Sequence, residues 1–288
     1  MRQFNKIAII GVGLIGGSIG LAIKKRRLAG EVMGVFRRAS TLKKALKRKA
    51  VDTATMSIEE GVGDADLIIL SAQVSSIPRL AAEAVKYAKE GAVMTDVGST
   101  KAWIVCAVED MLGDYTAVSF VGSHPMAGSE RAGVEFAWGN LLKDAPCIVT
   151  KTPRTDMRAL SRIVKFWRSL GAKVKVMSPA RHDKSVALIS HLPHIVAFSL
   201  AGAVPEKEMV YAAEGFRDTT RVASSDPDLW SDIFLTNREE IISAARMFDK
   251  YYKDLIGALS KGRYSETVRL LKRAKAKRDK FIYHGKDA

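Results

Sequence analysis

The feature that most constrains the fold is an alternation of short apolar runs with amphipathic stretches over the first 180 residues. Apolar runs of strand length lie at residues 6–11, 31–36, 65–72, 92–96, 117–121, 147–150 and 173–176. Between them lie stretches with helical spacing, such as residues 14–25. Strands that alternate with helices form a parallel sheet that helices cover on both faces. The pattern therefore predicts an α/β domain over residues 1–180.

The remaining residues, 181–288, show helical periodicity and no convincing strand. The helical patterns cover residues 185–204, 229–252 and 264–281, which predicts an all-helical second domain. Its apolar stripes exceed what one short domain can bury against itself, so we predict a homodimer. The apolar side chains concerned are Trp230, Ile233, Phe234, Ile241 and Ile242. Ordinary packing within one chain is the alternative.

The composition is that of a folded protein with a strong positive charge. Hydrophobic residues make up 47% of the chain, which excludes a disordered protein. The net charge of +15 arises from 46 Lys and Arg against 31 Asp and Glu, much of it in local clusters that we assign to solvated helix faces. Such a field attracts anionic small molecules. Zinc-finger and aromatic-rich RNA-binding patterns do not accompany it, so no nucleic-acid partner is predicted.

The sequence also carries expectations about location. It has no uninterrupted apolar run of about 18 residues and no signal-peptide pattern before the first strand, so we expect a cytoplasmic protein with no membrane contact. Cys106 and Cys147 lie in apolar runs, and we expect both to be reduced residues of the core.

The first apolar run ends in a glycine-rich turn, GVGLIG, where a helix begins. In such turns the first glycine permits the tight bend, the second lets a pyrophosphate approach the backbone, and the third lets the helix pack on the strand. The N–H groups at the start of the helix favour phosphate. The turn predicts a Rossmann-type dinucleotide site with Gly11, Gly13, Leu14, Ile15 and Gly16 at the cofactor. A merely structural tight turn is the alternative.

The end of the second predicted strand bears on which dinucleotide binds. An NAD site usually places a carboxylate there for the ribose 2′-hydroxyl. Here Arg37, Arg38, Ser40 and Thr41 follow the strand, and no carboxylate does. Guanidinium and hydroxyl groups suit a 2′-phosphate, so NADP is the predicted cofactor and NAD the second choice. Ser71, near the end of the third apolar run, is a further predicted cofactor contact. Alternatively, the two arginines only face solvent.

Two more segments follow buried strands, at the edge where ligands bind in open α/β sheets. These segments are DVGSTK at residues 96–101 and GSHPMAGSE at residues 122–130. The second holds His124, which in a loop of small residues could act as a base near neutral pH.

The helical half adds two segments with polar side chains. His191 and His194 have a spacing seen in metal sites, but no further cluster completes such a site, so no metal is predicted. Arg217 either binds a substrate carboxylate or serves structurally, in an ion pair with Asp218 or as a helix cap.

Five motifs occur in one order along the chain. They are GVGLIGGS at residues 11–18, DVGS at 96–99, SHPMAG at 123–128, SHLPH at 190–194 and GFRDTTR at 215–221. In these motifs the chain resembles the prephenate/arogenate dehydrogenases of tyrosine biosynthesis. The resemblance implies a Rossmann domain followed by a helical dimerisation domain. It also implies oxidative decarboxylation of prephenate or arogenate with hydride transfer to NADP⁺, which yields 4-hydroxyphenylpyruvate or tyrosine.

The resemblance further assigns roles to single residues. His124 matches the base that takes the proton of the substrate's 4-hydroxyl, and Ser99 matches the serine that orients that imidazole. Arg217 matches the arginine that anchors the ring carboxylate, and His191 matches a histidine that lines the site. We also expect Ser123 in the substrate site.

The substrate's side chain stays open at this point. Asp218 is a possible partner for the ammonium group of arogenate, but it could equally pair with Arg217 or Arg221.

Two other classes of function compete with this interpretation. Other two-domain dehydrogenases, of the β-hydroxyacid dehydrogenase or imine reductase type, use a lysine or aspartate on the helix where this chain has His191 and His194. A polyanion-binding protein on a Rossmann frame is a less favoured alternative that rests on the charge alone.

Overall fold

The computed structural model describes residues 2–113, 117–128 and 131–286, with side chains described up to residue 280. The chain divides into two compact units, Met1–Arg238 and Glu239–Ala288. The predicted domain boundary near residue 180 stays a prediction.

The first unit is built around a six-stranded sheet in which all neighbouring strands are parallel. The strands are β1 (Phe4–Ile10), β2 (Ala29–Val35), β3 (Thr53–Thr55), β4 (Leu67–Leu70), β5 (Ala92–Asp96) and β6 (Val118–Val121). Their order in the sheet is β3-β2-β1-β4-β5-β6. The strand order reverses between β1 and β4, and ligands bind beside such a switch point. The predicted Rossmann-type parallel sheet is confirmed.

Helices cover both faces of this sheet. They are α1 (Leu14–Arg26), α2 (Ala39–Lys47), α3 (Ile58–Val62), α4 (Ile77–Ala84), α5 (Ala102–Leu112) and α6 (Met157–Ser169), with short 3₁₀ segments at Val74–Ser76 and Val134–Phe136. Alternate residues of β1 enter two separate cores: Ile7 and Ile9 pack with Trp167, whereas Ala8 and Ile10 pack with Ile68. Because both faces are covered, β4 consists of apolar side chains with no exposure.

A second sheet of three strands lies beside the first. It consists of β7 (Ser123–Pro125), β8 (Pro146–Thr150) and β9 (Lys173–Met177). β7 is antiparallel to β8, and β8 is parallel to β9. The apolar runs at residues 147–150 and 173–176 are strands, but the prediction that they extend the parallel sheet is wrong. The apolar pattern reports that a strand is buried and not which strand it pairs with. His124 correspondingly lies in β7 and not in a loop.

The rest of the first unit is helical. Its helices are α7 (Pro179–Val186), a π-helical turn (Ala187–His191), α8 (Leu192–Ala203), α9 (Glu214–Thr220) and α10 (Pro227–Thr236), with 3₁₀ segments at Glu206–Tyr211 and Arg221–Ser224. The single helix predicted over residues 185–204 instead begins at Pro179 and contains the π-helical turn. The single helix predicted over residues 229–252 is divided at Asn237. Apolar spacing continues across both places, so periodicity alone did not reveal the interruptions.

Helix α10 contacts the carboxyl edge of the six-stranded sheet. Asp232 accepts a hydrogen bond of 3.0 Å from the Ser75 backbone, just after β4. Thr100, just after β5, donates to Thr236 over 3.1 Å. The helical segment therefore lies where the glycine-rich turn and the strand-end segments also lie.

The helical stretch Pro179–Ala203 is long and apolar enough to cross a membrane by length and composition. Core helices of soluble proteins pass the same test, and this stretch carries the buried polar residues His182, Asp183 and His191.

Of the two cysteines, Cys147 is buried and Cys106 is exposed, with its thiol 3.3 Å from Asp110 Oδ2. The predicted core position is wrong for Cys106, because it lies on the outer face of α5.

The second unit consists of two helices, α11 (Arg238–Ser260) and α12 (Tyr264–Lys286), joined at Gly262 with a φ of 59°. Tyr251 of α11 donates a hydrogen bond of 2.7 Å to the Leu270 carbonyl of α12. Of the residues in the predicted apolar stripe, Ile241 is buried and Ile242 is 50% exposed. No strand occurs between residue 178 and residue 286, as predicted.

A tight contact between α1 and the chain after α2 gives a test of this packing. A Cβ atom on Gly20 would lie 2.1 Å from the Ala50 carbonyl oxygen, a backbone atom that cannot rotate away. Gly20→Ala is expected to lower the free energy of unfolding by about 1–3 kcal/mol. Gly202→Ala in α8 is the control, because no atom lies within 4 Å of its Cβ position, and it should cause no loss. Urea unfolding followed by circular dichroism measures both, and equal losses would contradict the packing.

Candidate active site

The glycine-rich turn between β1 and α1 has the predicted geometry. Gly11 has a φ of 92°, and a Cβ atom there would lie 2.2 Å from the Ser71 carbonyl oxygen. A Cβ atom on Gly16 would lie 2.3 Å from the Gly11 carbonyl oxygen, so only glycine fits both positions. At Gly13, no atom of the described residues lies within 4 Å of the Cβ position. Helix α1 starts at Leu14 with no side-chain cap, which leaves its first N–H groups free for an anion.

A cavity of about 530 Å³ adjoins this turn. Gly11, Ser71, Arg37 and Arg79 are among the residues that line it. Glu83, from α4, is the one carboxylate among the described lining residues. The open backbone, the uncapped helix and the cavity together fit a dinucleotide.

The other predicted cofactor residues are not among the residues that line this cavity. Arg38 is exposed and immediately precedes α2, and Ser40 and Thr41 belong to the first turn of that helix. Ile15 is half-buried in the first turn of α1. Of the two arginines after β2, the structure therefore brings Arg37 to the cavity.

Two buried side chains of α7 lie behind His124. His124 Nδ1 is 2.8 Å from His182 Nε2, and His182 Nδ1 is 2.7 Å from Asp183 Oδ1. His182 and Asp183 are at most 2% exposed. The other ring nitrogen of His124, Nε2, has no hydrogen-bond partner among the described residues. The helical segment thus completes a site that the sheet begins.

The Asp183 carboxylate is held at the start of α5. Its Oδ1 accepts a hydrogen bond from the Lys101 backbone N–H (2.7 Å), and its Oδ2 accepts one from the Ala102 N–H (2.8 Å). These N–H groups have no partner within the helix, so the carboxylate satisfies them. The partial positive charge of the helix start also favours the ionised carboxylate.

Asp96 and Lys101 form a fully buried ion pair at the same edge of the sheet. The Asp96 carboxylate also accepts hydrogen bonds from the backbone of Gly98 (2.8 Å) and Ser123 (3.0 Å). Burial lowers the pKa of Lys101, and the neighbouring Asp96 carboxylate opposes that shift. The pair connects the segment after β5 with β7 and so fixes the backbone next to His124.

The Ser123 hydroxyl, a predicted substrate contact, is buried and bonded within the protein. Trp167 Nε1 donates to it over 3.0 Å. Thr95 donates its own hydroxyl proton to the Val121 carbonyl (2.6 Å), so Ser123 donates to Thr95 over 2.8 Å. Its donor and one acceptor site are therefore in use, and the substrate contact of Ser123 stays a prediction.

A second group of aromatic and polar side chains surrounds His191. The Asn237 amide donates to the Asp183 carbonyl (3.0 Å) and to His191 Nδ1 (3.1 Å). Because Nδ1 accepts, the neutral His191 ring carries its proton on Nε2. His194 donates from Nδ1 to the Ser190 carbonyl and stacks on Trp230, with ring centroids 3.4 Å apart.

Burial keeps these histidines neutral. It holds the pKa of His124 well below the ordinary value, and the nearby His182 and Lys101 lower it further. Burial also lowers the pKa of His182, although its hydrogen bond to Asp183 opposes the shift. The pKa of His191 falls to about 4 for the same reason. All three rings are therefore uncharged at pH 7.

The remaining predicted site residues lie in the segment after β5 and on α9. Ser99 is half-buried in the bend between β5 and α5. Arg217 and Asp218 are exposed on α9, and no ion pair joins them in the described part of the chain. Burial lowers the pKa of His194, and the positive charge of Arg221 lowers it further. This second arginine of the GFRDTTR motif therefore acts on the histidine cluster.

Sequence reasoning missed His182, Asp183 and Asn237 as members of the site. Apart from the bond between the adjacent His182 and Asp183, their side-chain partners lie 46 to 82 residues away along the chain, and no fixed spacing predicts such contacts. The predicted segment 122–130 is described only as far as residue 128, so Ser129 and Glu130 lie outside the described residues. Within residues 2–113, 117–128 and 131–286, no three potential ligands cluster into a metal site.

The fold and site define a nucleotide-dependent oxidoreductase: a Rossmann sheet, an open phosphate-binding turn and a neutral histidine at the sheet's carboxyl edge. The sequence pattern described as "Prephenate dehydrogenase, nucleotide-binding domain" matches residues 19–176, and "Prephenate dehydrogenase, dimerization domain" matches residues 178–273. The chain belongs to the prephenate dehydrogenase family.

Individual relatives agree with this family. A cyclohexadienyl dehydrogenase of Zymomonas mobilis is 34% identical over 88% of this chain and 87% of its own. A prephenate dehydrogenase of Bacillus subtilis is 36% identical over 87% of this chain and 68% of its own. The structure of an Aquifex aeolicus prephenate dehydrogenase with hydroxyphenyl propionate and NAD⁺ is similar with a TM-score of 0.89 and 34% identity, over 96% of this chain and 98% of its own. The structure of an arogenate dehydrogenase of Synechocystis is similar with a TM-score of 0.82 and 30% identity, over 96% of this chain and 99% of its own.

The neutral buried histidines predict a loss of stability in acid. The His191 pKa falls from about 6.5 in the unfolded chain to about 4 in the fold, so the unfolded chain binds more protons between these values. Stability from this residue is complete above pH 6.5 and declines by about 3 kcal/mol as the pH falls to 4. Urea unfolding at pH 8, 6.5, 5.5 and 4.5 should show a smaller decline for His191→Gln than for the wild type. Parallel curves would contradict the expected neutral state.

Proposed function

We propose that the protein catalyses the oxidative decarboxylation of prephenate, arogenate or both, with NADP⁺ as the preferred acceptor. The products would be 4-hydroxyphenylpyruvate or tyrosine. The observation that carries the proposal is His124, a neutral histidine at the carboxyl edge of the sheet whose Nε2 is free among the described residues. Membership of the prephenate dehydrogenase family supports the substrate class.

In this reaction His124 accepts the proton of the substrate's 4-hydroxyl on Nε2. The bound dinucleotide supplies the acceptor for the hydride that leaves C4. As the hydride leaves, the C4–O bond becomes a carbonyl. The electrons of the bond between C1 and the carboxylate then enter the ring as carbon dioxide departs, which leaves an aromatic phenolate that takes a proton back from His124. The site needs a neutral imidazole for this step, because an imidazolium has no lone pair to take the proton.

Ser99 and His191 would hold the substrate against His124. Ser99 lies in the bend between β5 and α5, where its hydroxyl can hydrogen-bond the substrate's 4-hydroxyl. His191 is fixed with its proton on Nε2 by Asn237, which makes it a donor toward oxygen atoms of the substrate. We therefore assign His191 a binding role and not a role in proton transfer.

The substrate's ring carboxylate calls for a guanidinium group. Arg217 is the predicted anchor, and Arg221 is a second candidate because its charge acts on His194. A guanidinium holds a carboxylate with two parallel hydrogen bonds, which fixes its orientation as well as its charge. Asp218 would face the ammonium group if the substrate is arogenate.

The preference for NADP rests on the charge around the cofactor cavity. Gly11, Gly13 and the start of α1 would hold the pyrophosphate. Arg37 lines the cavity after β2, with no carboxylate after that strand to hold a ribose 2′-hydroxyl. A guanidinium there favours a 2′-phosphate.

We further propose two domains, 1–180 and 181–288, a homodimer, and a cytoplasmic location. The boundary is supported by the two family patterns, which end at residue 176 and begin at residue 178. The homodimer is supported by the dimerization pattern over residues 178–273. Related biosynthetic enzymes support the location.

The decisive test of the reaction is an initial-rate assay of prephenate and arogenate, each with NADP⁺ and with NAD⁺. Turnover is expected with at least one pairing, and faster with NADP⁺. His124→Asn should lose about 10²- to 10⁴-fold in kcat because it removes the base, while NADPH binding measured by fluorescence stays unchanged. Folded protein that binds NADPH but turns over no pairing would contradict the proposed reaction.

Arg37→Ala tests the choice of cofactor. Loss of a charge-assisted hydrogen bond to the 2′-phosphate should weaken NADPH binding by about 10- to 100-fold and leave NADH binding unchanged. Lys47→Ala, an exposed cation of α2 outside the cavity, is the matched control and should change neither. Fluorescence titration of both cofactors measures this. Equal weakening for NADPH and NADH would show that Arg37 does not recognise the phosphate.

Arg217→Ala and Arg221→Ala test the carboxylate anchor. Removing the anchor should raise KM by about 10- to 100-fold and lower kcat much less, if it binds ground state and transition state alike. Arg158→Ala, an exposed arginine of α6, serves as the control. A raised KM in Arg221→Ala with Arg217→Ala at the wild-type value would transfer the role to Arg221.

A further inference from the structure

The hydrogen bonds of Asp183 determine where the protons lie in its neighbours. Both carboxylate oxygens accept from backbone N–H groups, those of Lys101 and Ala102, which can only donate. The carboxylate therefore presents an acceptor to His182, and His182 Nδ1 must donate the hydrogen bond of 2.7 Å. Reversing this bond would need a proton on a carboxylate that already faces two donors.

The same constraint passes from His182 to His124. A neutral imidazole with its proton on Nδ1 has a lone pair on Nε2. His182 Nε2 therefore accepts, and His124 Nδ1 donates across the 2.8 Å between them. One arrangement of protons satisfies every bond, and it leaves the lone pair of His124 on Nε2.

We propose that His182 and Asp183 are positioning residues that hold His124 as the tautomer with its proton on Nδ1, so that Nε2 is always the atom that accepts the substrate's proton. The role as a base rests on the proposed function, whereas the tautomer is a property of the protein alone. In the opposite tautomer, His124 would present an N–H to the substrate and could not act as a base.

The pair has a second effect once His124 is protonated. The Nδ1–H of His124 still donates to His182, and the negative charge of Asp183 lies on the far side of the His182 ring. That charge stabilises the imidazolium without accepting its proton, as a buried aspartate does for a catalytic histidine in serine proteases. The Asp183 carboxylate, bonded at the start of α5, is not hydrogen-bonded to His124 itself. The imidazole of His182 lies between them and connects the two by hydrogen bonds.

The other groups around His124 do not supply this orientation. Lys101 from the start of α5 is occupied by Asp96 of β5. Cys147 of β8 is a neutral thiol, because burial raises its pKa. His191 of the π-helical turn is bonded to Asn237 through Nδ1. Among the described residues, His182 is the hydrogen-bond partner of the His124 ring.

The competing interpretation is that Asp183 only caps α5 and that His182 only fills space. Both interpretations predict some loss of stability when His182 is replaced. They differ in what happens to His124. Only if His182 is a positioning residue does its replacement change the tautomer and the pKa of His124 and lower kcat while substrate binding stays the same.

Two replacements of His182 separate these roles. Leu cannot accept from His124 Nδ1, whereas the carbonyl oxygen of Gln can. His182→Leu should lower kcat by about 10²- to 10⁴-fold, with KM and NADPH affinity within about 2-fold of the wild type. His182→Gln should recover at least 10-fold of that loss. Val186→Ala, a buried apolar change on the same helix, is the control for stability and should leave kcat unchanged.

The pH profile gives a readout that a structural role would not move. The acid limb of kcat/KM should follow His124 in the free enzyme and lie below pH 6.5 in the wild type, with activity lost as the pH falls through it. In His182→Gln the second imidazole is gone, and with it the positive charge that this ring acquires in acid and that lowers the pKa of His124, while an acceptor for Nδ1–H remains. The limb should therefore move to higher pH, whereas Val186→Ala should keep the wild-type profile.

Nitrogen-15 NMR of the imidazoles tests the tautomer directly and without substrate. The His124 signals, assigned by their loss in His124→Asn, should show the proton on Nδ1 in the wild type and in His182→Gln. In His182→Leu both tautomers should be populated, because the hydrogen bond at one nitrogen sets which nitrogen carries the proton.

The outcomes are distinct. A wild-type His124 protonated on Nε2 overturns the proposal. So does a folded His182→Leu that keeps kcat within 2-fold of the wild type, or a loss of kcat that Val186→Ala reproduces. If His182→Leu does not fold, the wild-type tautomer and the pH profile of His182→Gln still decide. If the wild type turns over neither prephenate nor arogenate, the proposed function fails, while the NMR result still decides the tautomer.

Discussion

The interaction on which the site depends is the Asp183 carboxylate at the start of α5. A helix start leaves N–H groups without partners, and this carboxylate satisfies two of them from outside the helix. The same carboxylate bonds His182 and thereby reaches His124. One side chain of the helical segment thus joins the sheet's carboxyl edge to the histidines. Its removal would leave buried donors unpaired, which costs more than the bonds themselves contribute.

The parallel sheet explains why the groups of the site converge. In a parallel sheet every strand delivers its carboxyl end to the same edge, so the residues after β1, β4, β5 and β6 become neighbours. Gly11, after β1, lies against Ser71, after β4, and both line the cavity, while the segments after β5 and β6 carry Ser99 and His124. Helix α10 contacts this edge through Asp232. The cofactor-sized cavity and His124 therefore lie at the same edge of the sheet.

Burial then sets the chemistry of the charged and titratable groups. Of the full charges inside the site, Asp96 and Lys101 are paired with each other, and the carboxylates of Asp96 and Asp183 also accept hydrogen bonds from backbone N–H groups. Of the three histidines, only His182 directly contacts a group of opposite charge, the Asp183 carboxylate. Burial therefore favours the neutral form of the rings. At neutral pH the site consequently holds imidazoles that are uncharged and keep a lone pair.

The sequence by itself determined the parallel sheet, the glycine-rich turn and the helical second half, because each depends on local periodicity or on glycine at fixed spacing. Tertiary structure decided the second sheet, the break at Asn237 and the exposure of Cys106. It also brought Arg37 and not Arg38 to the cavity and placed His182 and Asp183 behind His124. Hydrogen bonds between residues 58 or 82 positions apart leave no periodic pattern in the chain, so only the fold reveals them.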